Sequence, residues 1–174
     1  MTTLAPGEKS SLVMVYTHNM LARGEVVTME NVRVNTWLRT QGVPEYIHLL
    51  KPQVLIFGSG SVKTLTYSEI YVPVSMVIAF HTIPPSENQL DYANDEKNRV
   101  MVPATALVGT FMFKGKSRIS SQTGFGTSIE LAHSLWMSIY DVEVANPYLP
   151  QMQPIHVPMI LLNPKQVSLA LEAS

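Results

Sequence analysis

Short apolar segments alternate with polar residues along most of the chain, which is the pattern of β-strands. The segments are rich in Val, Ile, Tyr and Phe, and Pro, Gly, Asn and Ser separate them. Strands are predicted over residues 12–17, 20–28, 46–57, 69–74 and 76–83 in the first half, with a loop at 58–61. In the second half they are predicted over residues 104–113, 116–120, 137–145, 155–162 and 166–171. The pattern predicts a mainly β protein.

Two short helices are expected between these strands. Apolar residues follow a helical spacing over residues 34–38 and again over residues 129–136. Thr127 and Glu130 have the spacing of a capping box, in which a hydroxyl and a carboxylate bond the free amides of the first helical turn. The second helix is therefore predicted to begin near Thr127.

The sequence indicates an internal repeat. Residues 111–115 follow the pattern of residues 20–24, with three nonpolar positions, a base and a glycine, after a shift of 91 positions. Residues 155–159 follow the Ile-x-Val-Pro pattern of residues 70–74 after a shift of 85 positions, which predicts a shorter loop in the second copy. The predicted equivalent pairs are Gly24 with Gly115 and Pro73 with Pro158.

The repeat divides the chain into segments. A flexible tail over residues 1–11 and a polar linker over 84–100 flank a first β unit at 12–83, and a second unit occupies 101–174. The connections are too short for crossover helices, so the strands should pair antiparallel. The expected fold is two similar small antiparallel β-barrel-like units, Sm-like or bent-sheet, each with one short helix.

One family resemblance follows from this order of elements. An Arg-Gly strand, residues 34–38, a strand over 46–54 and Ile-Tyr-Val-Pro at 70–73 resemble an uncharacterised bacterial family of small β domains of unknown function. The resemblance covers most of residues 14–83, and a weaker copy at 104–171 makes it a tandem repeat. It implies a small β domain and carries no catalytic residue across.

The content of charged residues is low. They make up 14% of the chain, against roughly 25% in an average soluble domain. The net charge of -1 gives no global positive field for nucleic acid. Few charges, ten methionines and many aliphatic strands favour a surface covered in a homo-oligomer or a larger protein complex. The uncharged, proline-stiffened loop with Tyr148, Leu149 and Met152 is the candidate contact.

Motifs for chemistry are scarce. The absence of cysteine excludes disulfides, thiolate metal sites and a Cys nucleophile. The five histidines are scattered singly, and Asp141 with Glu143 has the spacing of a solvated strand face as well as of a carboxylate pair. We therefore expect no enzyme, no cofactor and no metal site. No segment has the length of a membrane-spanning helix and no secretory signal is recognised, so the expected location is cytoplasmic.

One basic cluster offers alternatives. Lys114, Lys116 and Arg118 alternate along a predicted strand, so their side chains should share one face, with Phe111 and Phe113 on the other. A solvated strand is the favoured interpretation, and nucleic acid or an acidic protein partner are the others.

The sequence thus predicts a non-enzymatic structural or assembly subunit that oligomerises or packs into a larger complex. The alternative is a small-barrel module that binds nucleic acid or a regulatory ligand. A third hypothesis is an enzyme whose site is assembled between the repeats from His48, His81 or Asp141.

Overall fold

Antiparallel strands dominate the structure. The computed structural model describes residues 4–58, 61–83, 90–93, 95–131, 135–149 and 151–171. These residues contain eleven strands, and they divide into two units, Met1–Glu87 and Asn88–Ser174. The predicted mainly β class is confirmed. The boundary between the units falls in the segment predicted as the linker, of which residues 84–89 and 94 lie outside the described part.

The first unit is an open sheet. Its elements are β1 (Glu8–Tyr16), β2 (Met20–Met29), a 3₁₀ helix (Val34–Arg39), β3 (Tyr46–Gly58), β4 (Ser61–Thr66), β5 (Glu69–Pro73), a 3₁₀ turn (Val74–Met76) and β6 (Ala79–Thr82). β1, β2 and β3 pair in order, β4 and β5 both pair with β3, and β6 returns to the free side of β1. No pairing among the described residues joins β6 to β4 or β5. Of the two predicted forms of this unit, barrel-like or bent-sheet, the barrel is therefore wrong.

The second unit is also an open sheet. Its elements are β7 (Arg99–Val108), β8 (Phe111–Ser120), α1 (Phe125–Leu131), β9 (Met137–Ala145), β10 (Ile155–Leu162) and β11 (Ser168–Ala170). β7, β8, β9 and β10 pair in order, and β11 returns to the free side of β7. Over the part of this unit that is described, β11 does not pair with β10, so this sheet does not close either.

Alternating residues build the core of each unit. Successive side chains of a strand point to opposite faces, and one face of each strand is the more apolar. In the first unit this face and the 3₁₀ helix bury Val13, Val15, Ala22, Val26, Val34, Leu38, Ile47, Leu49 and Val72. In the second unit the buried face includes Ala104, Ala106, Phe111, Phe113, Ile139, Val142, Val144 and Val157. Phe111 and Phe113 are buried, on the face of their strand opposite the three cations, as predicted.

Several predicted boundaries are corrected. β1 begins at Glu8, inside the segment predicted as a tail, and β7 begins at Arg99, inside the predicted linker. The strand predicted over residues 104–113 is two strands, because Gly109 has a positive φ of 58° and the chain turns there.

The helix predictions are right in place and wrong in detail. Residues 34–39 form a 3₁₀ helix rather than an α-helix. α1 begins at Phe125, so Thr127 is its third residue and does not cap it. Thr123 precedes this helix by two residues, and its hydroxyl contacts the hydroxyl of Ser128 within the helix at 2.7 Å. Residues 132–134 of the predicted second helix lie outside the described part of the chain.

Each unit carries one bulge beside a glycine. The register between β2 and β3 shifts at Gly24, and that between β8 and β9 shifts at Gly115. The strand facing each glycine contains a residue with a positive φ, 47° at Lys51 and 50° at Asp141. A Cβ on Gly115 would lie 2.8 Å from the carbonyl oxygen of Tyr140, so the close approach of the strands requires glycine.

The predicted equivalence of Pro73 and Pro158 is wrong. Pro158 lies opposite Asp141, at the bulge of the second unit. The residue opposite Lys51 in the first unit is Ser68, whose carbonyl accepts the Lys51 amide at 2.7 Å. Pro73 comes five residues later, at the end of β5. A bulge and the end of a strand suit residues without an amide donor.

Candidate functional site

β4 is the most exposed strand in the described part of the chain. All six of its residues are exposed. Within the described residues it pairs with β3 alone. It is therefore an edge strand, whose outer row of amides and carbonyls is open to another strand.

Backbone hydrogen bonds show which groups of β4 face outwards. The Tyr67 amide donates to the Pro52 carbonyl at 3.2 Å, and the Phe57 amide donates to Asn19, away from β4. Because alternate residues of an antiparallel strand face the same neighbour, residues 61, 63 and 65 face β3. The residues whose backbone groups face outwards are Val62, Thr64 and Thr66.

β5 pairs with the same side of β3 as β4 does, but its outer edge has fewer amide donors. Tyr67 and Ser68 both face inwards at the bulge, so the outward residues of β5 become Glu69, Tyr71 and Pro73. Proline has no amide to donate. The longest run of outward donors on this side of the sheet is therefore in β4.

The edge carries little charge and has several exposed aliphatic and aromatic side chains on or near it. Lys63 is the one charged residue of β4. Exposed large side chains on or near this edge are Tyr46 at 50%, Val62 at 39%, Leu65 at 36%, Tyr67 at 48% and Tyr71 at 57% relative exposure. Edge strands that avoid pairing usually carry several charges, a proline or a bulge, and β4 itself has only the single lysine.

A hydrogen-bonded cluster lies next to this edge on β3 and β5. The Glu69 carboxylate contacts His48 Nε2 at 2.9 Å and accepts the Tyr71 hydroxyl at 2.9 Å. The rings of His48 and Tyr71 stack with their centroids 4.3 Å apart and 7° between their planes. The hydrogen bonds from Tyr71 and then His48 lower the pKa of Glu69, and the bond to Glu69 raises the pKa of Tyr71. The cluster fixes an exposed aromatic surface.

The histidines and carboxylates of the described residues form no metal site. No group of three or more such side chains comes together in that part of the chain. A shallow depression of about 300 Å³ is lined by Asp141, His156, Val157 and Pro158. Asp141 pairs with Lys116 there, and Glu143 lies 3.9 Å from His156.

The three cations of the basic cluster share one face of β8, as predicted. Lys116 forms an ion pair with Asp141 at 2.9 Å. Arg118 contacts Glu96 at 2.9 Å and lies 4.6 Å from the centroid of the Tyr92 ring. Lys114 lies opposite Glu143 in the register of β8 and β9. Carboxylates of the same unit thus partly neutralise this face.

Of the predicted contact residues, Tyr148 is exposed, whereas Leu149 and Met152 are half-buried. Tyr148 is 78% exposed, and its amide donates to the side-chain oxygen of the buried Asn146 at 2.9 Å. The Leu149 amide donates to the Asn146 carbonyl, and the Met152 amide to the Leu149 carbonyl. The loop offers one large aromatic side chain to solvent.

The residues proposed for an enzyme site between the repeats each contact a side chain of their own unit. His81 is buried in β6 beside Tyr16, and burial lowers the pKa of its ring to about 4. His48 bonds Glu69 on β3 and β5, and β1 and β2 separate these strands from β6. Asp141 pairs with Lys116 in the second unit. The first unit therefore does not bring His48 and His81 together.

Sequence reasoning missed β4, the strand that forms this edge. Its signal was present in the sequence, because Thr and Val alternate with other residues directly after the sequence Gly-Ser-Gly. None of the helices in the described ranges is long and apolar enough to cross a membrane.

No family model, curated protein or solved structure matches the chain. The resemblance to small β domains stays a prediction.

Proposed function

We propose that this chain is a non-enzymatic assembly subunit, built from two copies of one β unit, that self-associates by adding a strand to the sheet of its first unit. The observation that carries the proposal is β4, a fully exposed edge strand with three outward-facing residues. Strand addition is a common mode of recognition, in which main-chain hydrogen bonds provide affinity and alternate side chains provide specificity.

The pairing order of the strands supports the duplication. In each unit the first four long strands pair in sequence and the last strand returns to the first. Gly24 and Gly115 lie at the same step of this order, each in the second strand and each at a bulge. Lys51 and Asp141, 90 positions apart, are the positive-φ residues that face them.

The registers also support different roles for the two copies. Val54 pairs with Leu65 in the first unit, and Val144 pairs with Ile155 in the second. Leu65 and Ile155 are therefore equivalent residues, and so are the residues that precede them, Thr64 and Pro154. β10 begins at Ile155, after this proline. The edge that is open in the first copy is therefore interrupted by proline in the second.

The nucleic-acid alternative has weaker support. Lys116 and Arg118 are engaged with carboxylates of their own unit. Binding to phosphate would have to break or share these ion pairs, and three cations would give a weak, salt-sensitive interaction. The edge of β4 needs no such exchange, since its outward groups face away from β3.

Light scattering coupled to gel filtration tests the proposed function. The wild-type chain should elute as an oligomer at micromolar concentrations, and the oligomer should persist in 0.5 M salt because backbone and apolar contacts hold it. The variant with Lys114, Lys116 and Arg118 changed to Ser is the control and should assemble equally well. A wild-type protein that stays monomeric would contradict the proposal.

A further inference from the structure

We propose that the partner of β4 is the β4 strand of a second copy of this chain, paired antiparallel about a twofold axis at Thr64. This inference rests on the proposed function and names the surface and the register through which the subunit self-associates. A twofold contact is isologous, so the same patch serves both copies and the assembly closes as a dimer.

Two other edges of the described chain fit strand addition less well. β5 ends in Pro73, and its remaining outward residues belong to the cluster of Glu69, Tyr71 and His48. β11 has only three residues, Ser168–Ala170. β4 is the edge with an uninterrupted row of donors and acceptors.

The outward residues of β4 are self-complementary in one register. With Thr64 opposite Thr64 of the second copy, Val62 lies opposite Thr66 and Thr66 opposite Val62. All three pairs present outward-facing backbone groups. Each such pair exchanges two hydrogen bonds in an antiparallel ladder, which gives about six across the seam. Shifting the register to either side reduces this number.

The charges favour the same register. Lys63 then lies opposite Leu65 of the second copy, and its aliphatic stem can pack along that leucine while the ammonium group reaches water. A register centred one residue earlier would place the two Lys63 side chains directly opposite each other. Like charges in that arrangement are destabilising. The single charge of β4 therefore disfavours the register centred on Lys63, and the number of hydrogen bonds favours the one centred on Thr64.

The first test changes the outward amide at the centre of the seam. Thr64→Pro removes this amide without removing a ladder bond to β3, and the second unit already carries proline at the equivalent position. We expect its dimer dissociation constant to rise by at least about tenfold, since two central hydrogen bonds are lost. Thr64→Val, which keeps the amide, should dimerise like the wild type. Circular dichroism checks that both variants are folded.

The second test uses the absence of cysteine from the chain. Single Thr64→Cys, Val62→Cys and Thr66→Cys variants are oxidised and analysed for covalent dimers. In the proposed register the two residues at position 64 lie about 5.5 Å apart, whereas those at position 62 or 66 are separated by about 13 Å along the strands. The Thr64→Cys variant should therefore form the covalent dimer much faster than the Val62→Cys and Thr66→Cys variants.

The outcomes separate this inference from the proposed function. An oligomer that persists in Thr64→Pro, together with a Thr64→Cys variant that forms no intersubunit disulfide, would overturn the β4 seam while leaving self-association intact. Faster cross-linking of the Val62→Cys or Thr66→Cys variant would overturn the register. A monomeric wild-type chain would overturn both proposals together.

Discussion

Tyr16 donates a hydrogen bond to His81 inside the first unit, with 3.1 Å between the hydroxyl oxygen and Nε2. The Nδ1 atom of the same ring lies 3.0 Å from the Thr82 carbonyl, which can only accept, so we assign the ring proton to Nδ1. Both side chains are fully buried. Burial raises the pKa of Tyr16 and lowers that of His81, so both groups remain neutral at pH 7.

This pair makes the stability of the first unit depend on pH. Burial lowers the pKa of His81 from 6.5 to about 4, so between these values the unfolded chain binds a proton that the folded chain does not. The free energy of unfolding should therefore fall as the pH drops through this window, by up to about 1.4 kcal/mol per unit. Urea unfolding at pH 7 and pH 5 measures the effect. His81→Gln should show a smaller difference between the two pH values, and an equal difference would contradict the assignment.

The two bulge glycines should tolerate substitution unequally. A Cβ on Gly115 would lie 2.7 Å from Ile139 and 2.8 Å from the Tyr140 carbonyl, whereas the nearest atom to a Cβ on Gly24 is at 3.0 Å. Gly115→Ala should cost about 1–3 kcal/mol of unfolding free energy, and Gly24→Ala should cost less. Gly124→Ala is the control, since nothing lies within 4 Å of its Cβ. Urea midpoints in the reverse order would contradict the predicted crowding.

Asp91 should stabilise the second unit. Its carboxylate accepts hydrogen bonds from the Ser138 hydroxyl at 2.7 Å and the Tyr140 hydroxyl at 2.6 Å. Asp91→Ala leaves both hydroxyls without this charged acceptor, and we expect a loss of about 1–3 kcal/mol. Thermal unfolding followed by circular dichroism provides the measurement, with the exposed Asp95→Ala as the control. Adding Tyr140→Phe should then cost less in Asp91→Ala than in the wild type, and full additivity would argue against the bond.

Single-stranded nucleic acid should not bind specifically to the basic cluster. Lys116 and Arg118 are already paired with Asp141 and Glu96. Fluorescence anisotropy with a labelled oligonucleotide should detect no binding that is lost when Lys114, Lys116 and Arg118 are changed to Ser. Three phosphate contacts would instead give a slope of about -2 for the logarithm of the binding constant against that of salt. Such a slope, abolished in the triple variant, would support the nucleic-acid alternative.

Strands with one buried face could be predicted from the sequence. β9 and β10 begin and end where the alternation places them, at Met137–Ala145 and Ile155–Leu162. Burial explains this success, since a strand that packs on a core carries apolar side chains at its buried positions, as the last four residues of β10 do. β4 was missed because it covers no core, and all of its residues are exposed. The edge on which the proposed function rests was therefore the hardest strand to predict.

The relation between the two halves was only partly predictable. Gly24 and Gly115 are recognisable in sequence because a close strand approach demands glycine at the bulge. The Ile-x-Val-Pro match was misleading. Pro158 lies opposite the bulge of its unit, and the residue at that position in the first unit is Ser68, five residues before Pro73. Local patterns report which residues suit a strand, whereas the register is set by contacts between strands. Partners such as Tyr16 and His81 are likewise invisible until the fold joins them.

The return of β6 to β1 makes the first unit sensitive to the order of its synthesis. Val13 pairs with Gly24 in the first hairpin, but its other neighbour, Thr82, belongs to the last strand of the unit and is made 58 residues after Gly24. Until then the nascent chain exposes a strand edge next to Val13 and Val15, which are fully buried once the sheet is complete. Unpaired edges of this kind are the usual start of misassembly. This side of β1 is therefore open to pairing with other strands until residue 82 has been made.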